Sequence, residues 1–169
     1  MPSVFDRIIQ LCYKLAYRLL LCIWYLFRPS TKGAYIGVWH GGRILIIKNS
    51  YRKLYTCPSG TIKRREDEKT AALRELHEEV GIRVSQDQLK LAGRFFCNHE
   101  FKKDTVAFFE VHFSQRPKVT IDNREVIWGS FLTPEKALGL HLSPHLKTYL
   151  KSRLFELPPS QLDVQNRSD

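Results

Sequence analysis

The sequence predicts an α/β domain preceded by an amphipathic N-terminal helix, and three observations carry that reading. Strand-length runs of β-branched and aromatic residues recur from residue 34 onward. Helix-period stretches with their own start and stop signals separate them. The first thirty residues form one helical pattern without an internal Gly or Pro between Val4 and Phe27. A chain of 169 residues fits one ordinary domain with extensions. With 43% hydrophobic and 12% aromatic residues it can bury a core, which excludes wholesale disorder and a small disulfide-stapled scaffold.

Arg7, Gln10, Lys14 and Arg18 recur at steps of three and four, so they align along one helical face. Leu19 to Phe27 is uncharged. The run ends in Phe27-Arg28-Pro29 and lacks a small-residue cleavage site, a poor match to a signal peptide. Spanning a bilayer is also disfavoured. Lys14 and Arg18 would each cost about 2.5–3.5 kcal/mol at mid-membrane, against about 0.3–0.6 kcal/mol returned by each apolar residue. An interfacial helix over residues 4–27 fits better, with its basic stripe toward lipid phosphates and Trp24, Tyr25 and Phe27 at headgroup level. The same amphipathicity suits packing on its own domain or on a second subunit, as in a homodimer, and the sequence leaves these open.

Pro29 to Gly33 reads as a linker, which divides a helix at 1–30 from a domain at 31–155. Ala34–Trp39 and Arg43–Lys48 read as strands joined by His40-Gly41-Gly42, a hairpin signal. Asp67–Val80 is helical by periodicity and stopped by Gly81. Leu89–Cys97, Thr105–Phe113 and Glu125–Leu132 read as further strands. Ser143–Phe155 reads as a closing helix with Ser143 as cap and Pro144 at its first position. The segment 156–169 holds Pro158-Pro159 and little apolar content, and reads as a loose tail.

Cys12, Cys22, Cys57 and Cys97 show no zinc-ligand spacing. On one helix Cys12 and Cys22 would lie about 15 Å apart, beyond disulfide reach, so reduced thiols in a cytoplasmic setting are the simpler reading. The net charge of +10 predicts attraction to anions without distinguishing nucleic acid, anionic lipid or phosphorylated small molecules.

Glu75, Glu78 and Glu79 fall on one face of the predicted helix within a single turn. Like charges so placed repel, and one arginine, Arg74, does not neutralise three acids. The plainer reading is a solvated charged face. The chemical one is a site for Mg²⁺ or Mn²⁺, which take hard oxygen ligands.

The surrounding residues decide between them. Gly60, Glu66, Arg74-Glu75-Leu76, Glu78-Glu79, Gly81 and Ile82 stand in the order G-x5-E-x7-R-E-U-x-E-E-x-G-U, where U is aliphatic. This run resembles the Nudix box at every specified position across 23 residues. The resemblance implies a Nudix-type α/β/α sandwich on a mixed sheet and a pyrophosphohydrolase activity on a small phosphorylated substrate. It implies that Glu75, Glu78, Glu79 and the carbonyl of Gly60 bind Mg²⁺ or Mn²⁺. It also implies that Arg74 orients the acids and that Glu66 holds the loop-helix shape. A further glutamate after the box often serves as ligand or general base, with Glu125 the candidate and Glu100 its runner-up. Ser59 stands where many relatives have glycine.

Lys63, Arg64 and Arg65 lie in the loop before the catalytic helix, where a basic run suits substrate phosphates. Lys103-Asp104-Thr105-Val106 and Asn123-Arg124-Glu125-Val126, with the N-terminal helix, resemble bacterial Nudix proteins of unassigned substrate. The expected substrate is a nucleoside diphosphate linked to another moiety, or a related small diphosphate. An RNA 5′ end is the alternative enzyme substrate, although no aromatic-interleaved basic platform for single strands is evident. A non-catalytic binding module is the alternative outside enzymology.

Overall fold

Alternation along three central strands decides the architecture. The computed structural model describes residues 3–155, so the expected tail at 156–169 lies outside the described residues. The elements run α1 (Val4–Phe27), β1 (Ser30–His40), β2 (Arg43–Asn49), β3 (Tyr55–Thr56), β4 (Ser59–Thr61), α2 (Glu68–Val80), β5 (Lys90–His99), β6 (Lys102–Phe113), β7 (Val126–Leu132), α3 (Pro134–Leu138) and α4 (Pro144–Phe155).

On β1, Ala34, Ile36 and Val38 point into one core while Tyr35 and Trp39 point into another. On β2 the split is Leu45 and Ile47 against Ile44 and Ile46, and on β6 Ala107, Phe109 and Val111 against Val106 and Phe108. A strand apolar on both faces needs cover on both. Ala71, Ala72, Leu76 and Val80 of α2 supply one layer, and Ala137 of α3 with Leu146, Tyr149 and Leu150 of α4 supply the other. The result is the expected α/β/α sandwich. Its sheet is mixed, because β1 pairs with β6 in parallel while the other strand pairs are antiparallel.

The β1–β2 hairpin turns on Gly41 and Gly42, both at positive φ, the backbone a tight two-residue turn requires. Helix α2 begins at Asp67, whose side chain accepts from Thr70 N, and ends at Gly81 in the left-handed region.

The expected linker at Pro29–Gly33 is corrected. Ser30 to Gly33 are the first residues of β1, paired in parallel with Lys103 to Val106 of β6. Two polar residues and a lysine look like loop from the sequence, but the long parallel partner draws their backbone groups into the ladder. The short β3, β4 and α3 were not read from the sequence, although Thr133 and Pro134 give α3 the same cap and first-turn proline pattern as Ser143 and Pro144.

Helix α1 lies against the domain by its polar and aromatic side. Asp6 pairs with Arg124 at 3.0 Å, and Gln10 Nε2 donates to the Asn123 carbonyl at 2.7 Å. Tyr13 and Tyr17 pack on Tyr51, Tyr17 OH donates to Glu100, and Lys102 Nζ stands 4.5 Å over the Trp24 ring. By a simple count of length and mean hydropathy α1 is long and apolar enough to cross a bilayer. These contacts along one whole side are incompatible with lipid on all sides. Its opposite side, with Ile8, Leu11, Leu15, Leu19 and Leu26, is exposed.

Candidate active site

Helix α2 carries the acids, and the strands beside it decide what each can do. Glu79 is buried at 6% exposure. Its Oε1 accepts from Asn49 Nδ2 at 3.0 Å, and its Oε2 from the Ser59 backbone N–H at 2.8 Å. Burial pushes its carboxyl up to about 8, and the charges of Glu75 and Glu125 push the same way against the two hydrogen bonds. Glu75 is also raised, mainly by burial, with Glu78 and Glu125 adding to it and Arg74 opposing. Glu78 is half exposed, its side chain at 53%.

Arg74 holds this group from the next position. Its Nε and Nη2 make a bidentate pair with Glu66 at 2.8 and 3.0 Å, Nη1 reaches Glu78 at 3.1 Å and also Glu75, and Nη2 donates to the Thr61 carbonyl at 3.2 Å. The fork geometry of guanidinium is what permits several partners at once. Glu66, whose other anchor is Lys63 N at 2.9 Å, is held below the usual carboxylate range by the arginine.

Gly60 on β4 faces Glu75 so closely that any Cβ there would overlap the carboxyl. The expected second-site acid is Glu125, just before β7. Strand pairing of β7 with β2 sets Val126 opposite Asn49, and Tyr51 OH donates to Glu125 Oε1 at 3.0 Å. Glu100, the runner-up, sits in the β5–β6 turn and accepts from Tyr17 instead.

Lys63, Arg64 and Arg65 are exposed. The cations that line the large cavity beside the site come instead from α1, the loop after β2, and α4. Asn49, Tyr51, Arg52 and the Ser59 N–H were not singled out from the sequence. The one available signal was the aromatic-basic run Tyr51-Arg52-Lys53 directly after a strand.

The chemistry of the donor set fits a hard divalent cation. Glu75 and Glu79 carry raised proton affinities, Asn49 Oδ1 is buried without a hydrogen-bond partner, and the lack of a side chain at Gly60 lets the Glu75 carboxyl lie against that backbone. Among the described residues no three acids converge on one point, since Arg74 draws Glu75 and Glu78 while Asn49 and Ser59 hold Glu79.

Paired acids stand on a helix against a mixed sheet and are braced by one arginine, and the family model for the NUDIX domain matches residues 31–151. The chain belongs to the NUDIX family and is a pyrophosphohydrolase of it. Solved structures of the same fold include the MutT protein from Methanosarcina mazei Go1 (21% identity, 83% of this chain and 98% of that chain, TM-score 0.65). A C. elegans Ap4A hydrolase binary complex matches at 21% identity over 75% of this chain and 97% of that one, TM-score 0.64. A bifunctional NMN adenylyltransferase/ADP ribose pyrophosphatase from Francisella tularensis, complexed with AMP and Mn ion, matches at 16% identity. It covers 85% of this chain and 47% of that one, with a TM-score of 0.64. No curated protein matches the chain.

Proposed function

We propose that this enzyme hydrolyses, with Mg²⁺ or Mn²⁺, the diphosphate linkage of a nucleoside diphosphate joined to another moiety, or of a related small diphosphate. The observation that carries this reading is the placement of Glu75 against Gly60 and of buried Glu79 on the Ser59 N–H, two carboxyls whose charged forms burial disfavours and a cation would stabilise. Solved relatives point the same way, among them an Ap4A hydrolase and a bifunctional NMN adenylyltransferase/ADP ribose pyrophosphatase complexed with AMP and a Mn ion.

Glu75, Glu78, Glu79 and the Gly60 carbonyl would hold the metal, which supplies neutralisation of phosphate charge and a more acidic water. Arg74 keeps Glu75 and Glu78 in place, and Glu66 keeps Arg74 in place. Water attacks one phosphorus, the bridging P–O bond breaks, and the second phosphate leaves with that oxygen. Glu125, oriented by Tyr51 OH, takes the water's proton. Release of phosphate products from nucleotides, nucleotide sugars, alkyl diphosphates and capped RNA, with and without chelator, tests the reading. Chelator-sensitive release from one small diphosphate class is expected. No release from any of them would favour a non-catalytic module, and release from RNA alone would favour the RNA 5′ end.

We infer further that α1 holds the enzyme at the cytoplasmic face of an anionic membrane, lying in the interface. The support is the apolar side opposite the domain: Leu11, Leu15 and Leu19 are each more than half exposed. The basic stripe is not directed as the sequence reading had it. Gln10 bonds to the domain, and Lys14 and Arg18 border a cavity there, so the apolar side is the anchor and the cations flank it.

A further inference from the structure

Between α1 and the catalytic domain lies a cavity of about 850 Å³, in the range of small-molecule sites. Its walls come from separate parts of the chain. Helix α1 gives Lys14, Tyr17, Arg18 and Leu21; the loop after β2 gives Tyr51 and Arg52 among others; and α4 gives Lys147 and Lys151.

Charge is the first pointer to a ligand. Six of the lining side chains are lysine or arginine. The one acid among them, Glu100, is already engaged by Tyr17 OH. Cations gathered around a concave wall repel, and an anion in the middle removes that cost. The second pointer is Arg52. Its guanidinium carbon stands 5.6 Å from the Tyr17 ring centre and 5.7 Å from that of Tyr51, and its Nε is buried with no hydrogen-bond partner. Among the described residues it makes no ion pair. A guanidinium resting beside two neighbouring rings, with a buried donor unspent, suits a planar or tetrahedral oxyanion.

The third pointer is continuity with the acids. Tyr51, which donates to Glu125, lines this cavity. A smaller pocket of about 50 Å³ shares Arg52, Leu54 and Glu100 with it and extends to Ser59 and Gly60. A molecule whose diphosphate lies at Gly60 therefore has its remainder directed toward α1.

We propose that this cavity is the second half of the substrate site, taking a phosphate-bearing group attached to the scissile diphosphate, with α1 as one of its walls. This rests on the diphosphate reading above and deepens it. Leu21, Leu54 and Leu142 give the cavity apolar wall as well, so the body carrying the phosphate is a nucleoside or an alkyl chain. Helix α1 is then part of the enzyme's specificity as well as its anchor.

The test uses the full-length protein and Lys14→Gln/Arg18→Gln, two exposed positions whose loss leaves the core intact. Equilibrium binding is measured in chelator with two probes, ADP and a short-chain alkyl diphosphate. At least one should bind the parent protein, and the double variant, which loses two charge-assisted contacts, should bind it at least about tenfold more weakly. Which probe binds identifies the body of the substrate. On the substrate found by phosphate release, KM should rise by the same factor with kcat within about threefold. Unchanged binding in the double variant, or no binding of either probe by the parent, overturns the proposal. Weakened binding in a protein that hydrolyses no diphosphate would uphold the cavity assignment and remove the hydrolytic reading.

Discussion

Gly60 and Glu75 are packed so that the carboxyl of one occupies the space a side chain on the other would need. The obstructing atoms are the far end of a flexible side chain, so a methyl group at residue 60 would displace the carboxyl more readily than the backbone. Gly60→Ala should therefore leave thermal stability close to that of the parent while kcat falls on the order of a hundredfold, the usual cost of misplacing a reacting group by about 1 Å. Steady-state kinetics beside a melting curve checks this. A variant with full kcat would mean that the position of Glu75 does not matter to the reaction.

Glu78 is the acid with the least structural duty, being half exposed with Arg74 as its contact. Glu78→Gln removes charge with little change of shape. Its melting temperature should match the parent's, while turnover at saturating Mg²⁺ falls by about two orders of magnitude, equivalent to several kcal/mol of lost charge stabilisation. Near-parental turnover would remove Glu78 from the metal site.

Arg74 satisfies Glu66, Glu75, Glu78 and the Thr61 carbonyl together. Lysine brings the charge without the fork, so Arg74→Lys keeps at most part of that set. We expect kcat to drop at least about tenfold with KM little changed, the pattern of a residue that positions others. Parental kcat in the lysine variant would reduce Arg74 to a counter-charge.

The pH dependence of stability follows from Glu79. Its folded carboxyl is raised from 4.5 to about 8, so the fold prefers it protonated. The stability tied to that group is complete below about pH 4.5 and is lost as pH rises toward 8. In chelator, the melting temperature should decline by several degrees between pH 5 and pH 8.5. On the proposed metal reading Mn²⁺ should reverse the decline, since a cation held by the folded, ionised site and not by the unfolded chain would stabilise the fold. Glu79→Gln should flatten the chelator profile. A parent profile that is flat or rises over this interval contradicts the assignment.

The outer side of α1 makes a separate prediction. Serine at Leu11, Leu15 and Leu19 should weaken pelleting with anionic vesicles at least about a hundredfold, each buried leucine being worth at least 1.5 kcal/mol. Hydrolysis of a water-soluble substrate should persist, because these residues face away from the cavity. If instead a second copy covers this side, the parent will elute as a dimer, the serine variant as a monomer, and vesicles will pellet neither.

The sequence by itself determined the acid-bearing helix and its boundaries, and that its glutamates share one face, because helical period places residues three and four apart together whatever the surroundings. It determined the hairpin at Gly41-Gly42 and the stop at Gly81 for an equally local reason: those backbones need positive φ. The tertiary structure alone decided which acid is buried. Glu78 and Glu79 are neighbours in the chain, yet one is half exposed and the other lies under Asn49 and Ser59, from elements remote in sequence. It decided that Ser30 to Gly33 are strand, since only a distant parallel partner supplies their hydrogen bonds. It also decided which way α1 turns. Amphipathicity shows that a helix has two sides, but which one meets the domain depends on Tyr51, Glu100 and Arg124, residues that no local pattern brings to it.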